Sequence, residues 1–394
     1  MQFLFTLLFA IIGISFVFAQ GISVSGIFES YVSTNYGTGN APPTSSGLEE
    51  YANIRMQAKI GERATFFGAV NFIAASGDYA LGMVADTSNV TDKNYLAIME
   101  LERLYFKLNF EYESTAMNID GGLMRLPFGY SQVWGSSDFL NPKNPLLPYA
   151  RPRAILGLAN SLYLTDSFKF QQFIVAPSNP FARNDGKTIS ASERHWGIAG
   201  VAAEQHWDIA SVQMLYSHDF PDSVSKGFHR AGMSMKADLE LGLLVDMLYT
   251  YSKGMENKKD GLSLSAGFDY SLFSGNLLIL TEYLYNGAAS TTSIAGGGSF
   301  FNENYLYTGL TWRFNDYTNA GAALISGLDD KSFMPVVNFS YDIIQGANFS
   351  LRAQVPIDND LLHENGKHGE FGPLPPGRDA GSKFYMEGRL QLRF

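Results

Sequence analysis

Residues 382–394 read Ser382-Lys383-Phe384-Tyr385-Met386-Glu387-Gly388-Arg389-Leu390-Gln391-Leu392-Arg393-Phe394. Phe384, Met386, Leu390, Leu392 and Phe394 share one parity, and Lys383, Glu387, Arg389, Gln391 and Arg393 share the other. A period of two makes a strand with one apolar and one polar face. The question for the remaining sequence is whether it repeats this pattern often enough to close a sheet.

It does. Alternating segments are expected at 21–31, 50–60, 64–75, 98–111, 115–125, 154–164, 167–177, 195–206 and 208–218. They continue at 226–238, 239–252, 261–271, 276–286, 304–314, 319–328, 332–342 and 347–356, then the terminal strand. That is about 18 strands, with 16 or 14 as alternative counts because two turns, near Trp207-Asp208 and Asp238-Leu239, are faint. Connections after even-numbered strands are short and most of those after odd-numbered strands are long, which an up-and-down barrel with both termini on one side produces. The polar stretch up to residue 48 reads as one of the long loops. Strands of about ten residues rise roughly 33 Å and, tilted near 40°, span about 25 Å, the apolar height of a membrane barrel. A ring this wide cannot be filled by its own side chains and should enclose a water channel unless a loop narrows it.

Composition agrees. Charged residues are 17%, aromatics 14%, and there are 39 Gly; soluble proteins carry nearer a quarter charged residues. Past residue 20 no apolar run is long enough for a spanning helix. Residues 1–19 read as a secretory signal peptide, with Leu4 to Phe18 as its apolar core, cleavage after Ala19 and Gln20 opening a barrel domain over 20–394. No Lys or Arg follows Met1, so a membrane anchor helix is the rival reading. The absence of Cys excludes thiolate chemistry, lipid-modified Cys anchors and disulfides. A net charge of -10 argues against a nucleic-acid partner.

The terminal strand ending on Phe394 resembles the closing strand of bacterial outer-membrane β-barrel proteins. The resemblance implies an outer-membrane location, recognition of that strand by the barrel-assembly machinery, and pairing with the first strand. The stretch Trp134-Gly135-Ser136-Ser137-Asp138-Phe139-Leu140-Asn141-Pro142-Lys143-Asn144-Pro145-Leu146 similarly resembles a segment of porin-like outer-membrane families. It implies an outer-membrane barrel rather than any particular substrate.

In a channel the chemistry is pore geometry plus lining charge. By parity the lumen candidates include Arg55, Lys59, Arg103, Lys107, Asp120, Glu282, Arg313 and Arg352, together with Arg230, Lys236, Asp246, Asp269, Asp342, Glu387 and Arg389. Each could equally just wet the inner wall. Arg55, Arg103 and Lys107 are the best basic ladder. The stretch 126–153 holds Pro127, Pro142, Pro145, Pro148 and Pro152, which exclude a regular strand or helix. It is the candidate constriction, with Arg151 and Arg153 opposed by Asp138, or else a surface loop packed down by its aromatics. Tyr249, Tyr251, Tyr283, Tyr285, Trp312 and Phe394 are expected in membrane-interface girdles.

An enzyme is not expected. The six His lack nucleophile or helical zinc spacing, and no phosphate loop or dinucleotide fingerprint occurs; no cofactor or metal is expected. Passive or weakly selective diffusion of small hydrophilic solutes is the leading function. A hydrophobic-compound transporter and an adhesin or structural barrel are the alternatives. Membrane lipid, solutes, the assembly machinery and a second copy in a homo-oligomer are the expected partners.

Overall fold

The computed structural model describes residues 19–38, 44–77, 95–141, 154–176, 195–221, 227–253, 255, 258–287, 293–294, 298–299, 302–357 and 381–394. Eighteen antiparallel strands form one sheet: β1 Ala19–Thr38, β2 Thr44–Ile60, β3 Ala64–Ser76, β4 Tyr95–Tyr112, β5 Thr115–Met124, β6 Ile155–Thr165, β7 Phe168–Val175, β8 His195–Trp207, β9 Ala210–Pro221, β10 Phe228–Asp238, β11 Gly242–Ser252, β12 Leu262–Leu272, β13 Leu277–Asn286, β14 Asn304–Asn315, β15 Thr318–Gly327, β16 Ser332–Ile344, β17 Ala347–Gln354 and β18 Gly381–Arg393. Each pairs with its sequence neighbours, and β1 also pairs with β18, so the sheet closes into an up-and-down barrel. Closure satisfies every strand edge, as hydrocarbon requires. Among the described residues no helix is long and apolar enough to cross a membrane, which says nothing against crossing by strands.

Directly opposed residues of an antiparallel pair share a face, so the register carries the two faces around the ring. On β18, Phe384, Met386, Leu390 and Leu392 point outward and Glu387, Arg389, Gln391 and Arg393 inward. The expected girdles form: Tyr249, Tyr251, Tyr283 and Tyr285 lie outward toward the long-loop end. Trp312, Phe314 and Phe273 gather at the short-turn end, with Phe273 and Trp312 centroids 5.4 Å apart.

The closing seam is polar inside and apolar outside. Inside, buried Glu29 accepts from Tyr31 Oη and Gln391 Nε2, with the Arg389 guanidinium 3.8 Å away. Outside, Phe394 exchanges two backbone hydrogen bonds with Gly26, at 2.8 and 3.1 Å, and its ring covers that glycine. A Cβ on Gly26 would stand inside the Phe394 ring. Gly26→Leu is therefore expected to destabilise the closed ring by about 1–3 kcal/mol, the usual cost of overpacking. The check is the urea midpoint for loss of the compact, heat-modifiable form in gels; an unchanged midpoint would show that the contact does not matter.

Two expectations need correction. The stretch up to residue 48 is not a long loop: β1 runs to Thr38 and β2 starts at Thr44, in continuous register from Tyr36↔Thr44 to Ile22↔Ala58. Its Ser, Thr and Asn suggested a loop, but the backbone pairing continues through it, and Ser30, Ser33 and Thr34 add side-chain hydrogen bonds across the pair to Glu50, Gly47 and Ser46. The second correction concerns β4. Ala69 faces Arg103 while Val70 faces Leu101, so Glu102 is an extra residue in a bulge. Both Glu102 and Arg103 thereby turn into the lumen, and parity reverses along the rest of the strand.

Candidate functional site: a tethered loop inside the barrel

The segment 125–141, between β5 and β6, lies inside the ring against the inner faces of β6 to β16. Its apolar side chains have inward-pointing partners there. Leu126, Phe128, Phe139 and Leu140 pack with Phe173, Ile198, Leu215 and Leu248. Val133 and Trp134 pack with Leu284, Tyr305, Ile325 and Met334, and Trp134 is 1% exposed. The barrel thus has a hydrophobic core on one side of its lumen.

Two carboxylates hold the segment's backbone. Asp246 on β11 accepts the N–H groups of Tyr130 and Ser131 through its two oxygens, both at 2.9 Å. Glu282 on β13 accepts the N–H groups of Gln132, Val133 and Trp134 at 3.0, 3.1 and 2.9 Å, and also the Ser131 hydroxyl. The Trp134 indole donates to the Glu282 carbonyl at 3.1 Å. Gly129 donates to Gln213 Oε1 at 2.9 Å. It has φ +84°, and a Cβ there would strike the Asp246 carboxylate, so glycine is required twice over. Tyr130 Oη donates to Glu204 on β8 at 2.6 Å. Burial, and then the Glu204 contact, push this phenol well above its usual value, so it remains a donor.

The opposite wall is basic. Ring position sets β2–β4 across from β11–β13, nine strands away in a ring of eighteen. Arg55 and Arg103 flank Ala69 in one register row, and Lys59 and Lys107 flank Thr65 in another. Ala69 and Thr65 between them are short, and Lys59 is exposed while Arg55, Arg103 and Lys107 are partly exposed, on strands roughly 10 Å apart. Arg55 donates to Asn53 Oδ1 at 2.6 Å. Arg103 lies 3.5 Å from Glu102 and stacks over Phe67 at 4.8 Å. Glu102 also accepts from Arg125 at 2.8 Å and Asn53 at 2.5 Å. Asp120 is the cross-strand partner of Lys107.

Other expected lumen residues separate by environment. Arg313 points inward at the short-turn end of β14, opposite Asn319. Arg352 points inward, is buried, and shares a register row with Glu387. Glu282 is inward but fully buried under the loop, so it is a tether rather than exposed lining. Asp138 is likewise buried, and its Oδ1 accepts the Asn141 N–H at 3.1 Å. Arg151 and Arg153, and residues 1–18 of the signal reading, lie outside the described residues. Sequence reasoning missed Glu102, Glu204 and Gln213. It also missed the inward Phe173, Leu215 and Leu248; strands apolar on both faces, such as Leu277-Leu278-Ile279-Leu280, were the available signal that something packs inside.

No protein family and no curated sequence matches the chain. Solved structures with the same architecture do. Pseudomonas aeruginosa OccK9 (OpdG) aligns with TM-score 0.60 at 13% identity, covering 96% of this chain and 98% of that one. Acinetobacter baumannii OccAB4 gives TM-score 0.56 at 12% identity over 95% and 98%. The Pseudomonas aeruginosa outer membrane protein opdK gives 0.56 at 8% identity over 96% and 99%. The fold shared with these structures is a closed antiparallel up-and-down β-barrel.

Proposed function

We propose that this protein is a diffusion channel of the bacterial outer membrane that admits small hydrophilic solutes and favours anionic ones. The observation carrying this reading is the asymmetry of the lumen. One side is occupied by the 125–141 segment, whose backbone engages the carboxylates of Asp246 and Glu282. The side that the segment leaves uncovered among the described residues carries Arg55, Lys59, Arg103 and Lys107. A solute entering the remaining gap passes along cations whose ammonium and guanidinium groups replace part of its hydration shell, which is how a pore lining confers charge preference. The segment is the constriction in this reading, and residues 1–19 are the export signal removed from the mature barrel. Sugar-like neutral solutes would pass more slowly than carboxylates of equal size.

The test is a planar-bilayer recording of the purified full-length barrel under a potassium chloride gradient. A stable open conductance with a zero-current potential on the chloride side is expected. A silent protein, or a potassium-side potential, would refute the proposal.

A further inference from the structure

The bulge of β4 lies where the inner segment leaves the wall. Continuing the β4–β5 register two steps beyond Leu104↔Leu123 brings Arg125 opposite Glu102. On one side of the bulge Leu101 and Met99 face outward with Val70 and Phe72; on the other Leu104 and Phe106 face outward with Gly68 and Phe66. With Glu102 taken out, Leu101 and Arg103 would already alternate as a regular strand requires. The extra residue therefore carries no other side chain to a new face; what it adds is one carboxylate in the lumen. A bulge leaves a residue out of the ladder, and bulges gather next to functional sites, where they re-aim a side chain.

That carboxylate stands among three guanidiniums. Its Oε1 accepts from Arg125 Nη2 at 2.8 Å and lies 3.5 Å from Arg103 Nε. Its Oε2 accepts from Asn53 Nδ2 at 2.5 Å, and Asn53 Oδ1 in turn accepts from Arg55 Nε at 2.6 Å. Asn71 Oδ1 takes the second Asn53 amide hydrogen at 2.7 Å, which fixes the carboxamide. Glu102 and Asn53 are buried, whereas Arg55, Arg103 and Arg125 stay partly exposed. The negative charge is thus fixed behind its three cations, and the cations remain within reach of a passing solute.

Conduction requires binding that is favourable enough to enter and weak enough to leave. Three uncompensated guanidiniums at one level would hold an anion rather than pass it. We propose that Glu102 sets the specificity of the pore: it is a built-in counter-charge that lets monovalent anions pass Arg55, Arg103 and Arg125 and keeps multivalent anions from lodging there. Its donors are already engaged, and its charge opposes an anion in proportion to the anion's own charge. This inference rests on the anion-channel reading above and adds to it the charge class of the solute.

The test is block of the chloride current by inorganic sulfate, a divalent anion, in planar bilayers holding the full-length barrel. A unit charge roughly 7 Å away changes the occupancy of a monovalent ion about threefold and of a divalent one about tenfold. Glu102→Gln should therefore lower the sulfate concentration that halves the current by about tenfold, and chloride conductance should saturate at about threefold lower salt. Glu102→Asp keeps the charge and should block like the unmodified protein. Deletion of Glu102, which leaves a regular strand, should reproduce the Glu102→Gln shift and stands in for it if that variant fails to close; heat-modifiability in gels reports closure. Glu100→Gln removes a partly exposed inward carboxylate that forms no salt bridge among the described residues, and should shift the block no more than about threefold. A chloride-preferring channel whose sulfate block is unchanged by Glu102→Gln, or equally tightened by Glu102→Asp or Glu100→Gln, would overturn this inference alone. A silent or potassium-preferring barrel would overturn it together with the reading beneath it.

Discussion

Glu282→Ala is expected to release the middle of the inner segment and raise single-channel conductance, with bursts of opening noise that the unmodified channel lacks. Glu282 is 0% exposed and accepts from three consecutive backbone N–H groups and the Ser131 hydroxyl. A hydrogen bond to a charged group contributes about 1.5–3 kcal/mol, and a buried donor left without a partner costs about as much. Alanine removes the acceptor from four donors enclosed by Val133, Trp134, Leu284 and Tyr305. Each buried donor left unmatched costs about 1–3 kcal/mol, and several together are enough to populate a detached state of a single loop. Glu282→Gln keeps the shape and one acceptor oxygen, so its effect should be smaller. Asp269→Ala serves as a comparison, because its one side-chain hydrogen bond among the described residues is with the Gln132 side chain, at 2.9 Å and at an exposed site. Equal traces for Glu282→Ala and the unmodified protein would mean that the apolar contacts alone hold the segment.

The second large effect is expected on ion preference. Arg55→Gln, Lys59→Gln and Lys107→Gln together should carry the zero-current potential from the chloride side toward or past zero while leaving conductance of the same order. None of the three forms a salt bridge among the described residues, and Lys107 has Asp120 as its cross-strand partner. A unit charge acts on an ion roughly 7 Å away with about 0.6 kcal/mol in water. That is about threefold per charge for one sign of ion, and more than tenfold for three. The shift should shrink as salt rises, because the Debye length falls from ≈ 10 Å at 0.1 M to ≈ 3 Å at 1 M. Arg103 is left in place because it shares buried Glu102 with Arg125. A potential indifferent to the triple change would remove the basic wall from the mechanism.

What the sequence made legible follows from which forces are local. The outward series Phe384, Met386, Leu390 and Leu392 could be read directly, since strand pleat and hydrocarbon impose a period of two with no knowledge of partners. The rhythm of short and long connections gave the up-and-down order for the same reason. Glu102 was not legible, because a bulge depends on the register against Ala69 and Val70 of another strand. Nor was the inner segment's destination. Asp246 and Glu282 stood among the inward candidates as ordinary wall charges, while their partners lie 115 to 151 residues away in the chain. The aromatics of the segment 126–153 announced that it packs against something, but the matching surface is spread over inward positions of eight or more strands.

The seam has a consequence for biogenesis. Glu29 and Gln391 touch across a sequence separation of 362 residues, so nothing short of the whole polypeptide can shut the ring. A truncated or stalled product would present two bare margins, each carrying a row of amides for which lipid offers no partner. Closure of the ring is therefore all-or-none, since it needs strands from both ends of the polypeptide.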